Sequence, residues 1–195
     1  MVWRRFTDAT EVLQEEIFKF VNAVAEVVHG VTDFYDGAAN KNVGDAFLLS
    51  WCVESDQELN EIDDEEDPRY YQRLREIVST TQIADKALFS VMKMVAIITD
   101  EKQFTRSISS ERTQMLEHAG LNHVKLGFGL HFGQAVQGAL GSSRKIDVTY
   151  MSSAVELCEW LESSTKIYGV NVLMTKDFHV LLSVGVQKIT RQVDR

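Results

Sequence analysis

The stretch Ala38-Ala39-Asn40-Lys41-Asn42-Val43-Gly44-Asp45-Ala46-Phe47-Leu48-Leu49-Ser50-Trp51 decides the fold. An extended segment leads into a tight turn at Val43-Gly44-Asp45, and a hydrophobic strand, Ala46 to Trp51, leaves it. Gly44 enters such a turn without a Cβ penalty, and the apolar flanks suit a β-hairpin inside a sheet. The turn lifts the Asp45 carboxylate clear of the strands, where a hard cation can meet it. An aspartate beside a glycine is also ordinary turn chemistry, so the hairpin alone does not choose between the two.

A second stretch narrows the choice. Phe128-Gly129-Leu130-His131-Phe132-Gly133 is followed by Gly138-Ala139-Leu140-Gly141-Ser142 and then by Leu161-Glu162-Ser163-Ser164-Thr165-Lys166-Ile167-Tyr168-Gly169-Val170. With Lys41-x-x-Gly44-Asp45 ahead of them, these runs resemble, in order and spacing, the catalytic domain of class III nucleotide cyclases, the adenylate and guanylate cyclase family. The resemblance reaches from Phe6-Thr7 to Asp194. It implies an α/β chain with a ferredoxin-like βαββαβ core extended at its edge. Residues 1–195 are read as one domain, in which 54–120 form an insertion like that of enlarged protist cyclase-like domains.

Composition is compatible with this. At 195 residues, 45% of them hydrophobic and 25% charged, the chain has enough apolar material for a single core. A net charge of -9 argues against a general nucleic-acid or anionic-membrane binder. No apolar run reaches membrane-spanning length, and the N-terminus lacks a basic-then-apolar signal. Cys52 and Cys158 read as buried thiols, without Cys/His spacing for zinc. The expectation is a cytoplasmic domain, compatible with a larger or membrane-attached parent.

Along the chain, apolar spacing predicts a helix from Glu11 to His29 capped by Asp8 or Thr10, then a strand Val31–Tyr35 and a turn at Asp36-Gly37. The acidic run Glu54 to Asp67 reads as a solvated loop closed by Pro68. Helical pattern follows from Arg69 to Ile98, with a break at Ser79-Thr80-Thr81, and again from Arg106 to Gly120. His123 to Phe132 alternates as a half-buried strand, which Gly133 returns so that Gln134–Leu140 pairs with it. Next come a strand Ile146–Met151 and a helix capped by Ser152 or Ser153 and stopped by Gly169. The tail reads as a strand Val170–Thr175, a helix Lys176–Ser183 and a last strand Val184–Val193. His131 has no Cys, Asp or Glu beside it and reads as a hydrogen-bonded structural histidine.

The family reaction joins the 3′-hydroxyl of a nucleoside triphosphate to its own α-phosphate and expels pyrophosphate. Two Mg²⁺ or Mn²⁺ ions, bridged by two aspartates, supply most of the chemistry. Asp45 matches the second aspartate. Val2 occupies the place of the first, so either the strand begins upstream of this chain or the ligand has been lost. Lys41 and Thr149 match the base-reading pair of adenylate-type members, because lysine donates to adenine N1 whereas guanine N1 carries a proton. The resemblance therefore implies ATP, with GTP disfavoured. An exposed strand lysine is the plainer account of Lys41. The helical asparagine and arginine of the family fall at Glu156 and Trp160, and the phosphate-contacting lysine falls beyond Asp194.

Family sites form between two such domains. Two readings follow for this chain: an adenylate-cyclase-type domain working in a homo- or heterodimer, or a pseudo-cyclase that dimerises or senses nucleotide without turnover.

Overall fold

The computed structural model describes residues 1–43, 45–53, 68–99, 108–121 and 124–194. The acidic run and Gly44 lie outside the described residues, as do His123 and the start of the helix expected from Arg106.

Strand β1, Val2–Arg4, leads through Arg5 at positive φ into α1, Phe6–Leu13, a 3₁₀ turn at Gln14–Glu16, and α2, Ile17–Phe34. The helix thus starts earlier than the expected Glu11. It also runs through the strand expected at Val31–Tyr35. Ile17, Phe20, Val24, Val28 and Thr32 are all buried at helical spacing, and the Thr32 hydroxyl donates to the Val28 carbonyl at 2.7 Å. Burial of that stripe overrides the β-preference of Val31 and Thr32.

Asp36 at positive φ and Gly37 turn the chain into β2, Ala38–Val43, which forms an antiparallel hairpin with β3, Ala46–Ser50. The Trp51 indole lies so near Gly37 that a Cβ there would sit 2.5 Å from it, and Trp51 Nε1 donates to the Tyr35 carbonyl at 3.0 Å. Two helices follow, α3, Pro68–Thr81, and α4, Ile83–Ile98, divided at Gln82 with φ 53°, just after the Ser-Thr-Thr cluster. Helix α5, Ser110–His118, is capped by Ser109 and tied to Glu16 through the Ser109 amide and hydroxyl.

Strand β4 is Lys125–Leu130; β5, Val136–Ser142, pairs with β6, Lys145–Met151. The expected pairing of Gln134–Leu140 with the glycine strand is therefore corrected. The tight turn at Ser143-Arg144 makes β6 the nearest edge for β5, and the two form their own two-stranded ribbon. Helix α6, Ser153–Tyr168, is capped by Ser152 and ended by Gly169 at φ 66°. Strand β7, Val172–Met174, precedes short helices α7, Lys176–His179, and α8, Val184–Gln187. The last segment is thus a helical turn and coil rather than the expected strand; Val186 packs into the core from it.

The main sheet runs β2-β3-β1-β4-β7. Only β4–β7 is parallel. Its first four strands have the order and directions of a ferredoxin-like βαββαβ core, with β7 added at one edge, so the α/β class and core read from the chain stand. Leu126, Phe128 and Leu130 join the residues of α2 and α4 in the core on one face of the sheet. On the other face, Gly127 and Gly129 lie directly under α6. Cys52 is exposed, contrary to expectation, because it lies past the end of β3; Cys158 is half-buried.

A Cβ on Gly129 would run into the carbonyl oxygen of Cys158 and sit 2.8 Å from the Glu162 amide, whereas one on Gly138 would meet nothing within 4 Å. Gly129→Ala should therefore lower the unfolding free energy by about 1–3 kcal/mol through overpacking. Gly138→Ala should leave it within about 0.5 kcal/mol. Urea denaturation of the two variants measures the difference.

Candidate nucleotide site

Alternation sorts the hairpin residues by face. Phe47 enters the core, so Ala46, Leu48 and Ser50 face the opposite side, and Lys41, directly across from Leu48, faces that side too. Strand β6 comes down onto this face. Lys41 Nζ donates to Thr149 Oγ1 at 3.2 Å, and Ser50 Oγ donates to the Tyr150 hydroxyl at 3.2 Å. Thr149 is buried while Lys41 remains exposed, so a cationic donor stands at the mouth of a shielded hydroxyl.

Asp45 lies at the head of the hairpin, half-buried, one residue before Ala46. Ala46 pairs with Val2, and Val2 pairs on its other side with Gly127. The register therefore puts Val2 beside Asp45, on the strand where a second carboxylate would be needed, and valine offers no ligand. Among the described residues no group of three or more His, Cys, Asp or Glu is placed to hold a metal ion. Asp45 alone does not fit a two-ion centre.

Glu156 and Trp160 are one helical turn apart on α6, and both point to solvent; Trp160 is 62% exposed. The buried face of the helix is made by Leu161, Glu162, Ser164 and Thr165. Two of these matter more than sequence reasoning allowed. Arg4 Nη2 donates to Thr165 Oγ1 at 2.6 Å and to the Val170 carbonyl at 2.7 Å, tying β1 to α6. Glu162 is only 3% exposed, lies over Gly127, and its Oε1 has no hydrogen-bond partner. The i, i+3 spacing of Glu162 and Thr165 was the available signal. It showed a shared helix face but not which strand that face covers.

The N-terminal amino group is buried beside this cluster. Loss of solvent pulls its pKa below the ordinary value, against the opposing pull of Glu162. Burial pushes the Cys158 thiol up. His131 Nδ1 meets Thr175 Oγ1 at 2.9 Å, the structural bond its surroundings predict, and burial lowers its pKa against a smaller upward pull from Asp177.

Comparison with known proteins places this geometry. No family profile matches the chain. An adenylate cyclase of Anabaena cylindrica is 25% identical over 193 residues, which are 98% of this chain and 32% of that protein. A bacterial light-regulated adenylyl cyclase superposes with a TM-score of 0.65 at 19% identity, over 94% of this chain and 43% of the other. The guanylyl cyclase Cya2 superposes with a TM-score of 0.62 at 19% identity, over 93% of this chain and 75% of that one. The chain is thus similar over nearly its whole length to a protein named adenylate cyclase and shares the fold of solved adenylyl and guanylyl cyclases. The domain spans about a third of its Anabaena relative. No described helix is long and apolar enough to cross a membrane.

His131 supplies a pH test of this structure. Its folded pKa lies below the unfolded one, so below the ordinary value of 6.5 the unfolded chain binds the extra proton first. Stability is fully present above that value and declines as pH falls through it. Replacing His131 with Gln should flatten that part of the stability–pH curve, as read from urea midpoints between pH 5 and pH 7.5 (about one unit either side of an ordinary histidine).

Proposed function

We propose that this domain is the adenylate-type member of a cyclase dimer. It binds ATP as its magnesium or manganese complex and, with a complementary partner, forms cyclic AMP and pyrophosphate in intracellular signalling. The observation that carries this is the Lys41–Thr149 contact at 3.2 Å, formed between positions 108 residues apart. Adenine presents an acceptor at N1 beside a donor amino group. A lysine donor and a hydroxyl that can accept match that pair, whereas guanine reverses both. Asp45, at the end of the hairpin, is the carboxylate placed to meet the cation that the triphosphate carries.

Support for a partner comes from two directions. The β5–β6 ribbon leaves Leu140 60% and Ile146 66% exposed, and a two-stranded ribbon in water is marginal without something covering it. The site is also short of charge: Val2 supplies no ligand, and Glu156 and Trp160 stand where the family has asparagine and arginine. A carboxylate about 4 Å from developing phosphate charge costs on the order of 4 kcal/mol at an effective dielectric near 20. Loss of a charge-steadying arginine costs about 10³-fold in related phosphoryl chemistry. A homodimer of this domain is therefore silent or very weak, and the residues it lacks come from the second domain. The alternative, a dimerising or nucleotide-sensing pseudo-cyclase, is not favoured by the likeness to adenylyl and guanylyl cyclases, and turnover separates the two.

Calorimetry with Mn²⁺-ATP and Mn²⁺-GTP, beside cyclic nucleotide assays with and without a second cyclase domain, tests these readings. ATP should bind in preference to GTP, and Lys41→Ala should weaken ATP at least about tenfold, the loss of one charge-assisted hydrogen bond. Asp45→Ala should abolish turnover in the mixed dimer; turnover unaffected by it rules out the cation role. ATP binding with no turnover beside any partner selects the pseudo-cyclase. Ile146→Asp should shift the domain toward monomer in sedimentation, since it puts a charge on an apolar contact face.

A further inference from the structure

Burial along the β5–β6 ribbon is uneven. Every residue of β5 is exposed, and of the seven residues of β6 only Thr149 is buried and Tyr150 half-buried. No backbone ladder joins the ribbon to the main sheet. Among the described residues its hydrogen bonds to the rest of the domain are two side-chain contacts, both to the β2–β3 hairpin. Lys41 donates to Thr149 and Ser50 to Tyr150, each at 3.2 Å. Ser50 lies two residues past Leu48, the partner of Lys41 across the hairpin, so the contacts stand one same-face step apart, about 7 Å. Thr149 and Tyr150 are strand neighbours and leave opposite faces of the ribbon. Both still reach the hairpin, so β6 meets it with an edge rather than a face.

The two contacts differ in what they cost and in who else wants them. Lys41 is a long, exposed side chain that gives up much rotamer freedom to stay in one place. Its bond to Thr149 is also the one that a purine reading both groups must share or displace. Ser50 is short and the Tyr150 ring turns about two torsions only, so their bond is held at a smaller entropic cost. It asks nothing of the base.

We propose that Tyr150 is a positioning residue for base recognition. Its hydroxyl, taken by Ser50, holds β6 on the hairpin, so that Thr149 keeps its place beside Lys41 while a purine draws on both. This role rests on the adenine-reading assignment of Lys41 and Thr149 and adds to it a residue that touches no base. Selectivity is what such a tether protects. The Thr149 hydroxyl tells adenine from guanine only while its oxygen is held against the base's amino group. With β6 displaced, Lys41 is left as a mobile point charge that meets any purine acceptor, guanine O6 included.

Tyr150→Phe removes the hydroxyl and keeps the ring. Calorimetry with Mn²⁺-ATP and Mn²⁺-GTP should show ATP weakened about fivefold and GTP unchanged within about twofold, the loss of one hydrogen bond felt by the preferred base alone. Ser50→Ala should match it, and the two changes together should cost no more than either. Ser50→Thr, which keeps a hydroxyl, should retain the preference. Amide hydrogen exchange without nucleotide reads the tether itself. Lys41→Ala leaves the ribbon held by Ser50 and Tyr150. Adding Tyr150→Phe should speed exchange of the β5 and β6 amides at least about tenfold, since a free two-stranded ribbon is marginal in water. Exchange no faster than in Lys41→Ala alone overturns the proposal. So does an ATP preference that survives Tyr150→Phe, or equal weakening of both nucleotides, which marks a merely structural contact. If the unsubstituted chain binds neither nucleotide while the double variant releases its ribbon, the cyclase reading falls, and the role in base recognition falls with it, although the tether is real.

Discussion

Helix α6 lies against β4 where the strand carries no side chain, at Gly127 and Gly129, and much of the candidate site depends on that contact. A Cβ at either position would collide with the helix, so a larger residue there would push α6 outward. The short separation brings Glu162 and Thr165 over the start of the sheet, where Arg4 reaches from β1 to bond Thr165 and the Val170 carbonyl. One face of α6 is consumed in this packing. With 3.6 residues per turn, Glu156 and Trp160 are then carried to the solvent side. The same two glycines thus set the position of the helix and the direction in which Glu156 and Trp160 look.

On the open face of the sheet the electrostatics are lopsided. Lys41 and Thr149 form a compact donor–hydroxyl pair suited to a purine edge. Anionic groups are fewer there: Asp45 stands at the hairpin head, and Val2, beside it in register, carries no charge. In the proposed reading, recognition of a base and handling of phosphate charge are therefore unequally provided within one chain. A complementary domain resolves the inequality in one reading, and a nucleotide sensor needs no resolution of it. Leu140 and Ile146 of the β5–β6 ribbon are exposed apolar side chains, the surface on which the proposed partner would dock.

How far the chain could be read depended on whether a local rule or a distant contact decided each element. The break near Thr81, the Ser152 cap and the Gly169 stop follow from short-range chemistry and were legible. Val31–Tyr35 misled because β-branched residues favour strands, yet Thr32 continues the buried stripe of α2. Gln134–Leu140 was assigned the wrong partner, since alternation marks a strand without naming its neighbour. Cys52 was read as buried from its apolar surroundings, but it falls beyond the end of β3 and faces water. The motif spacing picked out the candidates Lys41, Asp45 and Thr149, while no sequence signal linked Arg4 to Thr165.

The amino-acid order by itself determined the class of fold, the resemblance to nucleotide cyclases and the residue types available at the candidate site, because glycine spacing, helix caps and apolar period are local properties. Only the tertiary structure decided that Lys41 meets Thr149, that Val2 stands beside Asp45, and that Glu156 and Trp160 face outward. Those are relations between residues about 40 to 110 positions apart, set by sheet register and by how closely a helix can approach a strand, and no short window of sequence contains them.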